Sequence, residues 1–589
     1  MANQLPGVEV SFSRTSDISL TAPNNRLLIA ALVAPGAPTT IGTPFLATSA
    51  AQVDAQAGGG WTHASRLYRA SKAQTSDAET WILPLADPAG TPATRTLKFA
   101  PAPTYDATNG WTVGSASAAA QATDCTINVA GQSCTFSIAK DTTWANVAAA
   151  ALVALSALGS ELIQTPTVNS DTITLTAKHG AEIENDLPVL VSFSNVNAGC
   201  AVITGTLTLA TDATGAGSVS LSDGVLSASV VIANTNTPAT RAVALRDAVN
   251  VAMPCRAAVA NPATGVITLY HKDDRWLRRL STTITAAIGM TSTLAAGTVG
   301  TGTPSLTSAL TYLAADQAYK IWAFPFADSS SLGTLATHIL AQDVAEIAKG
   351  QFVVTGISTA LPASSLPGAT SPALTTTELF TILHDQGSPV RVGEVVARVG
   401  AELAAEDDAG RNYNGLRLLG SDLMPLPVAH RADRATRDTM IAAVSAGYAP
   451  VTISSGNETY VVLARTTFAS ANAVTAGLRK WSGALLPIAL RASLRQRLSD
   501  LFFKPGNGKS LKAKGIAHTD RGTTTVGIRS EIIAWAKEED LRDYLDYASD
   551  LDSSIRCEID LSQPGTVKAR LPLRTVKDLD KILADTWAS

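Results

Sequence analysis

The residues of this 589-residue chain that come nearest to a chemical motif are Gly506-Asn507-Gly508-Lys509-Ser510, which end as a phosphate-binding loop ends. That loop cradles phosphates with backbone N–H groups, and it needs a glycine five positions before its second one, where this chain has Phe503. It should also follow a buried strand, but here it follows the basic helical stretch Arg491–Phe503, so an exposed basic loop is the better reading. Gly58-Gly59-Gly60 ahead of a helix could hold an anion at the helix N-terminus. It lacks the G-x-G-x-x-G spacing and an acidic residue to close a ribose site, so it reads as a flexible link between helices. A hydrolase needs a nucleophile, a base and an orienting group. The seven His (63, 179, 271, 338, 384, 430 and 518) are scattered, and neither G-x-S-x-G nor H-E-x-x-H occurs. His384-Asp385 is an isolated pair and reads as a helix end. The five Cys, at 125, 134, 200, 255 and 557, form no CxxC and have no His at metal-ligand spacing. They read as free thiols, mostly buried. The expectation is a chain without catalytic residues, metal or cofactor.

One cluster keeps two readings. Glu539, Asp543, Asp546 and Asp550 stand at i, i+4, i+7 and i+11 and would share a helix face, with Leu541, Tyr544, Leu545 and Ala548 on another. A metal site would want ligands converging from other segments or a calcium loop, and neither is present. What remains is a solvated face or, given the basic stretch upstream, an interface between like subunits.

The elements that must carry these residues are too many for one core. At roughly 100–200 residues per domain the chain should hold three to five. Hydrophobic residues make up 46%, charged residues only 16% and aromatics 5%, a texture of Ala, Thr, Ser and Val that suits β-rich modules and close subunit packing. The net charge of -4 argues against nucleic-acid binding as the main task. No apolar run approaches the ~18–20 residues that span a bilayer; the best, Val147 to Leu158, reads as the buried stripe of a helix. The first seven residues carry neither a basic start nor an apolar signal core, so the protein is expected to be made and kept in the cytoplasm.

Along the chain, Pro6–Phe12 is a short alternating segment with no local partner strand. Arg26–Val33 and Glu79–Ala86 read as buried strands around helices near Ser49–Ala57 and Trp61–Gln74, the β-α-β start of an α/β domain. From about Thr91 to Gly300 the texture turns to Thr/Ala/Val-rich strands, with an internal repeat at an offset of 94 residues. Ser137-Ile138-Ala139 falls on Val231-Ile232-Ala233, the helix around Val147–Leu158 on Arg241–Ala252, and Ile173-Thr174-Leu175 on Ile267-Thr268-Leu269. These are two tandem α+β modules inserted into the α/β domain. The α/β texture returns at Ala318–Phe326, with a helix near Leu332–Ala348, a strand at Gln351–Ile357, a Pro/Ser/Thr-rich linker from Ser358 to Thr377, helices at Gly393–Glu406 and Arg434–Ala446, and a hairpin of Ala449–Ser454 and Thr459–Thr467. The C-terminal end is polarised. Eleven Lys/Arg against Asp500 and Asp520 give +9 between Arg479 and Arg529, and ten Asp/Glu against Lys537, Arg542 and Arg556 give -7 between Glu531 and Asp560.

Together these features resemble the tail sheath family of contractile, Mu-like bacteriophage tails. The residues that carry the resemblance are the arm Pro6-Gly7-Val8-x-Val10, the hairpin ending in Arg465-Thr466-Thr467-Phe468, the stretch Arg491 to Phe503 leading into a Gly-rich loop, and Thr566-Val567-Lys568-Ala569-Arg570-Leu571-Pro572-Leu573. The paired inserted modules also resemble those of Mu-like sheaths, while Thr466 departs from the family's usual apolar residue. The resemblance implies an α/β and α+β multidomain protein: an N-terminal arm donated to a neighbour (1–20), a discontinuous α/β sheath core (21–91 and 306–475), two tandem inserted α+β modules (92–200 and 201–305), and an α+β C-terminal polymerisation and tube-contacting domain with exchanged terminal strands (476–589). Val8, Val10, Phe12, Val567, Ala569 and Leu571 would exchange strands between subunits. Arg491, Arg495, Arg497 and Lys504 would be the basic interface to the tube or a subunit, and Glu539, Asp543, Asp546 and Asp550 the acidic interface. The implied function is that of a structural subunit, not an enzyme. It polymerises helically with copies of itself around a tail tube protein, meets baseplate and tail terminator proteins, and contracts to drive the tube through the host envelope. It would be assembled in the host cytoplasm into a virion tail, without direct nucleic-acid contact or membrane insertion. The competing reading is an α/β hydrolase-like enzyme with a β-rich insertion; a secreted β-rich adhesin is disfavoured by the missing signal and the α/β segments.

Overall fold

The computed structural model describes residues 11–13, 17–19, 26–59, 62–106, 110–129, 131–158, 163–180, 187–210, 215–233, 236–253, 256–261, 264–272, 276, 278, 280–285, 291–315, 319–343, 350–361, 372–406, 411–429, 431, 433–469, 479–503, 509–511, 522–542, 544–545, 551–559 and 567–571. Continuous apolar runs such as Arg26–Leu32 (RLLIAAL) suit strands buried on both faces, and they form the centre of a nine-stranded sheet. Its order is Leu416–Arg417, Thr459–Val461, Ala449–Ile453, Phe380–His384, Phe352–Ile357, Ile321–Ala323, Arg26–Leu32, Glu79–Leu85 and Phe45–Leu46. The six strands from Ala449–Ile453 to Glu79–Leu85 pair in parallel, and the flanking pairs are antiparallel. The helices His63–Gln74 and Val392–Ala405 lie against this sheet within one core cluster. A buried Glu394 joins them: Arg66 Nε donates to its carboxylate at 2.9 Å, and Arg398 Nη1 lies 4.0 Å from the same group.

Two sequence expectations fail here. His384-Asp385 is no helix end, because Phe380–His384 is a central strand whose five residues are all buried. A five-residue apolar run carries too little periodicity to separate a buried strand from a helix segment. The linker from Ser358 to Thr377 includes a short helix, Pro372–Thr376, with residues 362–371 outside those described.

Between Thr94 and Ala295 the 94-residue offset reappears in the bounds of the elements. Strands Thr123–Val129 and Gly217–Ser222, helices Trp144–Ala157 and Pro238–Ala252, and strands Thr172–Thr176 and Val266–His271 each begin 94 residues apart. Each helix lays its apolar stripe into its own cluster, Val147, Ala148, Ala151 and Leu155 in the first and Ala242, Leu245 and Val249 in the second. The two copies share a sheet, in the order Thr167–Asn169, Thr172–Thr176, Thr94–Pro101, Cys200–Ala210, Val266–His271, Arg256–Asn261. Its middle is the antiparallel pair Thr94–Pro101 and Cys200–Ala210, so corresponding strands are arranged outward from that seam. Outgoing and returning chain run side by side where this region leaves the core, Thr94 N donating to Thr298 O at 3.1 Å, and the returning Gly302 N also donates to Gly180 O of the first copy at 2.8 Å. The fit is so close that a Cβ on Gly90 would stand 2.4 Å from Gly302 N.

Candidate assembly interface

The C-terminal region is organised by one helix, Trp481–Phe502, which at 22 residues is about 33 Å long. Its first turns belong to the core, where Trp481, Ala484, Leu485 and Ile488 join the central cluster. Trp481 Nε1 donates to Thr381 Oγ1 at 2.9 Å and to Arg465 O at 3.0 Å. From Leu486 onward, Leu490, Leu494, Leu498 and Phe502 pack with Ile532, Trp535 and Ala536 of the helix Thr525–Asp540. Thr524 caps that helix, its Oγ1 accepting from Gly527 N at 3.2 Å. A single rigid element therefore ends in two different cores. Thr466 and Thr467 of the Arg465-Thr466-Thr467 motif are buried beside its start, with Thr467 N donating to Phe380 O at 2.9 Å.

The basic and acidic stretches meet within the chain. Arg497 Nη1 donates to Glu538 at 2.7 Å and Nη2 to Glu531 at 3.2 Å. Ser493 Oγ donates to Glu539 at 2.6 Å, and Arg542 lies 3.4 Å from that carboxylate. These contacts correct the expected surfaces. Arg491 is fully buried in the packed side of its helix, so in the single chain it offers no surface to a tube or a neighbour. Glu539 is 3% exposed, and its helix ends at Asp540, so residues 539 to 550 do not form one continuous acidic helix face. The charge spacing was helical, but the apolar residues beyond it were not: Leu541 is 85% exposed whereas Leu545 is 3% exposed. Arg495 remains partly exposed; Lys504, Asp543, Asp546 and Asp550 lie outside the described residues.

Both ends of the chain carry isolated two-stranded sheets. Near the N-terminus Ser11–Ser13 pairs with Asp17–Ser19, with Phe12 opposite Ile18. The expectation that this segment lacks a local partner is thus corrected for Ser11–Ser13, while Val8 and Val10 lie outside the described residues. Near the C-terminus Arg556–Ile559 pairs with Val567–Arg570, which places Val567 and Ala569 on a strand and Leu571 just beyond it. Among the described residues neither hairpin pairs with a third strand. Cys557 lies on the inner side of the C-terminal hairpin, where burial pushes its thiol up to about 11 despite nearby Arg529, so it is not a reactive thiolate.

His384 Nε2 is 3.0 Å from Thr359 O and its pKa is lowered by burial, while burial raises that of Asp385 to about 6. Among the described residues no group of three or more His, Cys, Asp or Glu could hold a metal ion, and no helix is long and apolar enough to cross a membrane. Sequence reasoning missed the long helix's reach into the core; Pro487 inside it masked the continuity.

No protein-family model matches the chain, and no curated protein matches it. Solved structures similar to it are tail sheath proteins of contractile systems. A sheath tail protein from Desulfitobacterium hafniense is 13% identical, with a TM-score of 0.41 over 97% of this chain and 100% of that one. The helical sheath of the anti-feeding prophage in its contracted state is 12% identical, with a TM-score of 0.32 over 46% of this chain and 70% of that one. The PVC sheath complex of an extracellular contractile injection system, also contracted, is 12% identical, with a TM-score of 0.34 over 48% and 75%.

Proposed function

We propose that the chain is the structural subunit of a contractile tail sheath, of the Mu-like class that its repeat resembles, polymerising helically around a tail tube and contracting to drive that tube through a host envelope. The observation that carries this reading is the pair of terminal two-stranded sheets whose edges no described strand covers. An open edge accepts a strand from another chain. If each subunit donates an end to the next, the contact is head-to-tail and generates an open helical filament. A donated strand making about six backbone hydrogen bonds, each worth roughly 0.5–1.5 kcal/mol, would hold neighbours together by several kcal/mol while they tilt past one another. The Trp481–Phe502 helix supports the same reading, because it would carry a pull on the C-terminal region directly into the α/β core. Contraction would then be a rearrangement of largely rigid subunits triggered at the baseplate, with the energy stored in the assembly and no nucleotide required. Electron microscopy of the concentrated protein tests the reading: wide, striated tubes are expected, and small discrete particles at every concentration would overturn it. A variant lacking residues 1–14 should remain a folded monomer that does not polymerise.

A further inference from the structure

The C-terminal hairpin has two unlike faces. Cys557 opposite Ala569 and Ile559 opposite Val567 alternate with Arg556 opposite Arg570 and Glu558 opposite Lys568. Cys557 packs on the helical cluster, Ile559 and Val567 are half-buried and Ala569 is exposed, while Arg556, Glu558, Lys568 and Arg570 of the other face are all exposed. Two like charges directly opposite each other oppose strand pairing, and here they meet at the open end of the hairpin. That face carries three cations and one anion, so a strand added at its edge is favoured if it brings a carboxylate outward and apolar side chains inward. The segment Val8-Glu9-Val10-Ser11-Phe12 has this pattern, and Glu9 is its one acidic residue between Met1 and Ser16.

We propose that Glu9 of a second copy of this chain is the carboxylate that meets the Arg556–Arg570 pair, and that this contact sets the register in which the donated strand is accepted. The proposal rests on the sheath reading and on strand donation by the N-terminal segment. Alternation alone fixes the register only in part. A slip of one residue turns Val8, Val10 and Phe12 outward and is rejected by the apolar side. A slip of two keeps every face correct, and only a charge can detect it, because it moves Glu9 about 7 Å along the strand and brings Gly7 or Ser11 to the arginines. Apolar pattern and charge thus exclude different errors.

The experiment uses the full chain as wild type, Glu9→Arg, Arg570→Glu and the double variant, with far-UV circular dichroism confirming that all four are folded. The critical concentration for tube formation is measured by sedimentation at low and high salt, with microscopy of the pellets. Each single variant should raise it about three- to tenfold at low salt, less at high salt, and the double variant should return it toward wild type. Tubes whose critical concentration ignores Glu9→Arg, or a double variant as poor as the two singles combined, would overturn the charge contact and leave the sheath reading standing. A wild-type chain that never forms tubes would overturn both.

Discussion

Mild acid should weaken the α/β core through His63 before most carboxylates respond. The ring is 3% exposed on the first residue of the helix His63–Gln74, and its Nδ1 accepts the Leu32 N–H at 3.0 Å. Protonation would set a second N–H against that backbone donor and place a positive charge at the positive end of a helix. The ionisable groups around the ring are His179, Arg391 and Arg66, with Asp87 3.5 Å from His179 Nδ1. Burial first, then His179, Arg391 and Arg66, hold the pKa of His63 well below its ordinary value of 6.5. The unfolded chain therefore takes up a proton near pH 6.5 that the folded chain refuses. The stability that neutral His63 contributes is complete above that pH and is lost as pH falls toward the folded pKa. If the folded ring stays neutral, the loss is about 1.4 kcal/mol at pH 5.5 and about 2.7 kcal/mol at pH 4.5. His63→Asn keeps a hydrogen-bond acceptor in place of Nδ1 and does not titrate. Urea unfolding of both proteins between pH 7.5 and 5, followed by tryptophan fluorescence, isolates this group, because every other titrating residue is common to the two. The variant's stability should fall less steeply below pH 6.5, by about 1.4 kcal/mol per pH unit. Parallel curves for the two proteins would refute the assignment.

Other outcomes are equally open to measurement. Glu394→Ala removes the carboxylate that faces buried Arg66 and Arg398 and should cost about 3–5 kcal/mol, whereas replacing both Arg66 and Glu394 with Met should recover much of that in a double-mutant cycle by urea denaturation. Trp481→Phe removes the donor shared by Thr381 and Arg465, so thermal unfolding should show a loss of about 1–3 kcal/mol. Arg497→Ala breaks two partly exposed ion pairs and should cost no more than about 1 kcal/mol, with the effect fading at high salt in the same assay.

The α/β core was legible in the sequence where apolar runs were long. RLLIAAL and ETWILPL could only be buried strands, and the helices beside them ended within a residue or two of where the spacing placed them. FTILH was not, because five buried residues look alike as strand or helix, and their role is set by the neighbours Phe352–Ile357 and Ala449–Ile453 that sequence does not reveal. The repeat was visible because two copies had to solve the same packing problem. That their sheets would join through Thr94–Pro101 and Cys200–Ala210 is a property of the pair, written in neither copy alone. The charged C-terminal region was the least legible. Spacing showed where like charges fell but not that Arg491 and Glu539 would be enclosed, since burial there depends on two helices, Trp481–Phe502 and Thr525–Asp540, meeting across the chain that separates them.

The narrow crossing at Gly90, Gly180 and Gly302 has a further bearing. Because the chain departs and comes back at one spot, the intervening two hundred residues form a cassette whose ends already touch. Among the described residues this piece supplies no strand to the nine-stranded sheet, so a change in its length need not alter the strand order there. Variation within the cassette would then be uncoupled from the strand order of the core.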